Sequence, residues 1–273
     1  MITLKNNTMK AEDLKLVVKE KYGEIASQTR EQNQPSCCGS TECCDHMDYS
    51  IFSDDYTMLE GYNVELGLGC GLPTQYAGIR KGNHVLDLGS GAGNDCFVAR
   101  TLVGEEGTVT GIDFTNAMLE KANKNLKKTQ FKNIKFIKGD IEDMPLADNS
   151  FDVVISNCVL NLVPDKQKVF KEIYRVLKPG GHFCISDVVL TGELPRKLQE
   201  AAEMYAGCVS GAMLKDEYVD VIHQQGFTGI EIKKEKEIEI PDNILLNYIT
   251  LDELKTFKRD NVGIYSITVN ARK

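Results

Sequence analysis

The sequence predicts an α/β protein built on a seven-stranded, mostly parallel sheet with helices on both faces. Three observations carry that prediction. From His84 onward, short apolar runs alternate with longer stretches of helical periodicity. A glycine loop, Gly89-Ser-Gly-Ala-Gly93, follows the first apolar run, where such sheets turn from strand to helix. An acid, Asp113, closes the second run about twenty residues further on, the spacing at which a carboxylate meets a ribose.

The elements follow in order. A helix is predicted over residues 11–27, because Leu14, Val17, Val18 and Tyr22 share one face. Residues 28–45 are polar, carry four cysteines and read as a loop, and a short helix is expected over 54–63. The first strand is His84 to Leu88, followed by a helix to about Leu102. Strands over 108–113 and 134–138 flank a helix over 116–128. A fourth strand covers 152–156 and a helix covers 170–177, ending at Lys178-Pro-Gly-Gly181, which turns the chain into a fifth strand over 182–186. Helices over 195–205, 215–225 and 242–257, with strands over 230–240 and 264–269, complete the chain. The expected division is an N-terminal helical and cysteine-rich segment (1–80), a ligand-binding core (81–190) and a C-terminal α+β lobe (191–273).

Composition narrows the function. The 273 residues are 42% hydrophobic and 26% charged, enough for a sizeable core. A net charge of −8 argues against nucleic acid, which needs a clustered basic surface. The Lys233-Lys234-Glu235-Lys236-Glu237 run mixes both signs and reads as a solvated face. No stretch approaches the ~20 apolar residues that span a bilayer, and the first ten residues lack a signal-peptide core. A monomer in the cytosol, without membrane partners, is expected. Nine cysteines in such a compartment point to metal binding or chemistry rather than to a disulfide framework.

The loop reads Asp87-Leu-Gly-Ser-Gly-Ala-Gly93, not the dinucleotide pattern Gly-x-Gly-x-x-Gly. It resembles the first motif of the class I S-adenosylmethionine-dependent methyltransferases. Gly111-Ile-Asp-Phe114, Gly139-Asp-Ile-Glu142 and Leu177-Lys-Pro-Gly-Gly181 resemble later motifs in the same order. The resemblance implies a cofactor site of Asp87, Gly89, Ser90, Gly91 and Gly93, with Asp113 on the ribose. Phe114, Met118, Asp140 and Ile141 would lie about the adenine, and Asn157 would complete the site.

Cys96 and Cys184 fall in a helix and a strand and read as small core residues. Cys70 and Cys208 are embedded among glycines and small residues, and Cys158 lies just past the fourth strand, at the end where such sheets bind ligands. Tyr22-Gly23, Gly69-Cys-Gly71, Asn94-Asp-Cys96, Ser156-Asn-Cys-Val-Leu-Asn-Leu162, Ser186-Asp-Val188 and Gly207-Cys-Val-Ser-Gly-Ala212 resemble the arsenite methyltransferases, and the likeness runs from about Tyr22 to Phe227. It implies that Cys70, Cys158 and Cys208 bind As(III), and that an N-terminal cysteine forms a transient disulfide with Cys70. Cys37 and Cys38 are the favoured partners, with Cys43 and Cys44 also available. A structural zinc site on those four is the competing reading, although adjacent pairs fit the usual ligand spacing poorly.

This chemistry suits the residues. A lone pair on thiolate-bound arsenic needs no base, whereas oxygen and nitrogen nucleophiles normally do. The four histidines, His46, His84, His182 and His223, fall outside every site segment. Soft thiolates are the natural ligands of a soft centre, and only the deprotonated form binds, so uptake should weaken at low pH. The implied substrate is arsenite or its glutathione complex, with glutathione or thioredoxin as the thiol reductant. Two rival readings remain: a methyltransferase acting on a small organic molecule, and a thiol-rich As(III) or zinc binding protein without activity.

Overall fold

In a computed structural model of the protein, the described residues are 11–27, 71–194, 197, 209, 211–238, 242–259 and 262–273. Cys37, Cys38, Cys43, Cys44, Cys70 and Cys208, the helix expected over 54–63 and almost all of that over 195–205 lie outside them.

Seven strands form one sheet: β1 (His84–Leu88), β2 (Thr108–Asp113), β3 (Ile134–Lys138), β4 (Phe151–Asn157), β5 (Leu177–Leu190), β6 (Thr228–Glu237) and β7 (Ile264–Arg272). Their spatial order is β3-β2-β1-β4-β5-β7-β6. The first five are parallel, and β7 runs antiparallel between β5 and β6. The order reverses between β1 and β4, so the loops leaving their carboxyl ends diverge and open a crevice. Valine, isoleucine and leucine fill the middle of β1 and β4 because both faces of these strands are covered.

The helices are α1 (Ala11–Ser27), α2 (Pro73–Tyr76), α3 (Asn94–Val103), α4 (Asn116–Leu126), α5 (Lys166–Val176), α6 (Lys215–Gln224), α7 (Asp242–Leu245) and α8 (Leu251–Arg259). On one face, Phe170 of α5, Tyr218 of α6, Phe183 and Phe227 interlock edge-to-face or tilted, with centroids 4.9–6.5 Å apart. On the other, Phe97 and Val103 of α3 join Val85, Val109 and Val153.

Several boundaries differ from expectation for identifiable reasons. Helix α5 begins at Lys166 rather than at 170, because the Asp165 carboxylate caps it by accepting from the Lys168 N–H at 3.1 Å. Strand β5 begins at Leu177, ahead of the glycine turn, since Leu177 already pairs with Phe151 across an irregularity in β4. The single helix expected over 242–257 is two. Thr250 and Glu253 form a reciprocal capping box that starts α8 afresh: each backbone N–H donates to the other's side chain, at 2.7 and 3.3 Å. Among the described residues, no helix is long and apolar enough to cross a membrane.

Candidate functional site

The glycine loop leaves β1 at the carboxyl edge of the sheet. Gly89, Gly91 and Gly93 all have positive φ (63°, 51° and 95°), which explains three glycines in five residues. The spaces around them differ. A Cβ at Gly89 would lie 2.5 Å from a Val159 methyl, so this glycine lets the loop press against the segment after β4. A Cβ at Gly91 would meet nothing nearer than the Met118 sulfur at 4.0 Å, so the loop faces open space there.

Asp113 ends β2 with its carboxylate already oriented: the backbone N–H groups of Gly91 and Thr115 donate to its two oxygens at 3.0 and 2.7 Å. Asp87 ends almost fully buried beside the loop, where the Cys96 thiol donates to it at 3.1 Å. Asp95, in the first turn of α3, is also buried and accepts from the Asn157 carboxamide at 3.2 Å. Burial pushes Asp87 well above the usual carboxylate range, and the charges of Asp95 and Asp113 push it further. Burial likewise raises Asp113, against the backbone donors that hold it down. Three carboxylates crowded into a poorly solvated loop favour a ligand carrying positive charge.

The other expected cofactor residues lie on the same edge. Met118 is buried with Ile25 of α1 and Ala92 of the loop, and Phe114 packs partly buried beside Val18 of α1. Asp140 is taken up by the Lys15 ammonium of α1 at 2.6 Å and by the Glu142 N–H at 2.9 Å. Lys15 also pairs with Glu142. Ile141 faces the main core with Leu88 and Ile112. Helix α1 therefore crosses the cofactor end of the sheet, and the Lys121 ammonium fastens its last turn by donating to the Ala26 carbonyl at 3.2 Å.

Beyond β4 the chain turns sharply at Cys158, whose φ of 60° is rare for a residue with a side chain. Strain of this kind concentrates at functional sites. The Cys158 N–H donates to the Ser186 carbonyl at 2.8 Å, while its side chain joins an apolar cluster containing Leu162, Val188 and Val209, with Phe114 at its margin. Val209 is the neighbour of Cys208 in the chain. Asn157, expected on the cofactor, directs its amide to the carbonyl of Gly71 (2.8 Å), the neighbour of Cys70, as well as to Asp95.

Cys96 and Cys184 are core residues with hydrogen bonds. The Cys184 thiol donates to the Pro73 carbonyl at 3.2 Å. Burial raises both thiols, most strongly with help from Asp87 at Cys96, so neither is a ready nucleophile. His84 and His182 lie towards the amino ends of the parallel strands, away from this edge, and His223 is exposed on α6; His46 is outside the described residues. Among the described residues no group of three His, Cys, Asp or Glu is arranged to hold a metal ion.

These features fit S-adenosylmethionine. The ligand has a vicinal ribose diol for Asp113, positive charge for the acidic loop, and an adenosine that needs the open space above Gly91. The buried Ser90 hydroxyl, which has no hydrogen-bond partner among the described residues, lies in the same loop. Asp95, Lys15 and Lys166 were not singled out from sequence. Asp95 had two signals, its place in the first turn after the glycine loop and the resemblance of Asn94-Asp-Cys96. The two lysines looked like any solvated charge.

Residues 79–226 match the family model described as a methyltransferase domain. An arsenite methyltransferase of Halobacterium salinarum is 40% identical over 251 residues, covering 85% of this chain and 63% of that protein. One from Aquipseudomonas alcaligenes is 35% identical over 238 residues, covering 84% and 66%. The chain thus spans just under two thirds of the length of these relatives. Among solved structures, an arsenic(III) S-adenosylmethionine methyltransferase from Chlamydomonas reinhardtii superposes with a TM-score of 0.64 at 39% identity, covering 75% of this chain and 67% of that one. Matched over more than half of its residues by that model, the chain belongs to the methyltransferase-domain family and is similar to arsenite methyltransferases over most of its length.

Proposed function

We propose that the protein is an arsenite methyltransferase, transferring methyl groups to trivalent arsenic held by the thiolates of Cys70, Cys158 and Cys208. One observation carries the reading. Cys158, in a strained turn at the strand-order switch, packs with the neighbour of Cys208, and the residue before it holds the neighbour of Cys70. The similarity to arsenite methyltransferases over most of the chain supports the same substrate.

When bound, S-adenosylmethionine supplies a methyl group on a positively charged sulfur. Asp113 holds the ribose, and the acidic loop of Asp87 and Asp95 offsets the positive charge. The contact of Gly89 with Val159 sets the cofactor loop directly against the thiolate segment, so the chain's main contribution is orientation. Arsenite, as As(OH)3, exchanges its three hydroxyls for three cysteine sulfurs, and each hydroxyl leaves as water with the proton of one thiol. The arsenic lone pair forms the new As–C bond, and the electron pair of the broken C–S bond stays on sulfur. No base is required, consistent with the absence of histidine from this edge among the described residues.

Methylation leaves arsenic formally pentavalent. Two electrons return it to the trivalent state when the thiolate of an N-terminal cysteine, Cys37 or Cys38, attacks the Cys70 sulfur: the S–S bond forms, the As–S bond to Cys70 breaks, and its electron pair stays on arsenic. A thiol reductant, glutathione or thioredoxin, then resets that disulfide by exchange. The protein works as a monomer in the cytosol on this reading.

The test is incubation of the purified protein with arsenite, glutathione and S-adenosylmethionine, followed by separation of the arsenic species. Methylated arsenicals are expected, and Cys158→Ser should form none. Cofactor binding without any methylated product would discard arsenic as the substrate.

A further inference from the structure

We infer that Asn157 is a positioning residue for the third arsenic ligand: its carboxamide fixes the segment that carries Cys70 relative to Cys158. The inference rests on the thiolate reading above and assigns Asn157 a task other than touching the cofactor.

Asn157 is the last residue of β4 and is paired in register with Ser186 of β5, so its backbone is anchored on the sheet. Its amide nitrogen has two hydrogens and two acceptors: the Gly71 carbonyl at 2.8 Å and the Asp95 carboxylate at 3.2 Å. Ser186 meets both Cys158 and Gly71. Its carbonyl receives the Cys158 N–H at 2.8 Å, and its side chain lies so close to Gly71 that an added Cβ would come within 2.5 Å of the hydroxyl oxygen. Ser186 is itself fully buried and hydrogen-bonded to Thr268 at 2.8 Å. Packing from below and the Asn157 amide from the side both hold Gly71, one residue along the chain from Cys70.

The Cys208 segment is held by different contacts. Val209 packs in the cluster of Cys158, and the Lys166 ammonium donates to the Gly211 carbonyl at 2.8 Å. Loss of the Asn157 amide therefore loosens one ligand of three. Arsenite has three exchangeable oxygens and can engage three thiolates. Methylarsenite has two, because its As–C bond does not exchange. A displaced Cys70 should weaken the first ligand and spare the second, which a general loss of structure would not do.

The experiment measures binding of arsenite and of methylarsenite to the full chain by equilibrium dialysis, under anaerobic conditions with a non-thiol reductant. Wild type, Asn157→Ala and Asn157→Asp are compared, with thermal midpoints recorded for each. Removing the partly buried amide and its two hydrogen bonds should raise the arsenite Kd about ten-fold in Asn157→Ala. Asn157→Asp should lose more, because its carboxylate faces the Gly71 carbonyl and Asp95. Methylarsenite affinity should change by no more than about two-fold on the same scale. Equal weakening of both ligands, or no weakening of either, overturns the inference. If Cys158→Ser binds arsenite as tightly as wild type, it is the thiolate reading itself that fails, and the inference with it.

Discussion

The ammonium of Lys166 donates to the carbonyl oxygen of Gly211 at 2.8 Å, tying the first residue of α5 to the loop that follows Cys208. The same loop meets the sheet where the Leu190 N–H donates to the Met213 carbonyl at 2.9 Å. A long cation reaching back to a loop carbonyl is a tether, and its stem packs regardless of charge. Lys166→Met keeps the stem and deletes the donor. It should cost about 1 kcal/mol of stability. Because the loop carries a proposed arsenic ligand, the KM for arsenite should rise several-fold while the KM for S-adenosylmethionine holds. Steady-state kinetics with each substrate varied separately decides it, and unchanged values for both would mean that the backbone contacts hold the loop alone.

Next to that tether, Lys15 of α1 pairs with Asp140 and with the well-buried Glu142, whose carboxylate also accepts from the Asp165 N–H at 3.0 Å. Exposed ion pairs contribute little, and Asp140 is about two-fifths exposed, so most of the effect comes through Glu142. The pair fastens α1 across the cofactor end, where Val18 and Ile25 cover Phe114 and Met118. Lys15→Ala should speed dissociation of S-adenosylhomocysteine about three- to ten-fold, the equivalent of roughly 1 kcal/mol. Stopped-flow displacement reads that rate directly. An unchanged rate would leave α1 as a structural cover only.

Much of the fold was legible before any coordinates. Helix α1 and strands β2 and β3 have the expected bounds, because their apolar periodicity stops at clear polar or glycine boundaries. The glycine loop and Asp113 carried their own spacing. What escaped were pairings between distant residues. Nothing in the sequence says that Asn157 donates to Gly71, that Asp95 is buried beside Asp87, or that Lys15 and Lys166 find partners 125 and 45 residues away. The Thr250–Glu253 capping box was readable and overlooked, since the helical period continues across it. For Cys158 the sequence supplied the position and the resemblance its proposed role, but only the backbone reveals the left-handed turn.

That turn makes a further prediction. A non-glycine residue held at φ 60° costs about 1–2 kcal/mol, which glycine does not incur. Burial of the thiol contributes a similar amount in the other direction. Cys158→Gly should therefore shift the thermal midpoint by only a few degrees, while abolishing methylation of arsenite. Calorimetry on the variant checks the first half and product analysis the second. A large loss of stability would show that the cysteine is kept for packing rather than for its sulfur.

The last prediction concerns Asp187, fully buried in β5, with the Tyr218 hydroxyl at 3.3 Å and the Val188 N–H at 3.0 Å donating to it. Burial pushes its carboxyl up to about 7 from an ordinary 3.8, against the opposing influence of the Lys166 charge and these two donors. A carboxyl raised on folding favours the fold in its neutral form. Its stabilising contribution is complete below about pH 4 and is lost as the pH rises through about 7. Asp187→Asn keeps the shape and removes the ionisation. Relative to wild type, the variant should gain stability steadily between pH 4 and 8, so that a difference near zero or slightly unfavourable in acid becomes favourable above pH 7. Asp87 and Asp113 are also raised, but they titrate in both proteins and cancel in the difference. Thermal denaturation of the two proteins across that range is the measurement. A difference that does not vary with pH would mean that Lys166 and the two donors keep Asp187 ionised throughout.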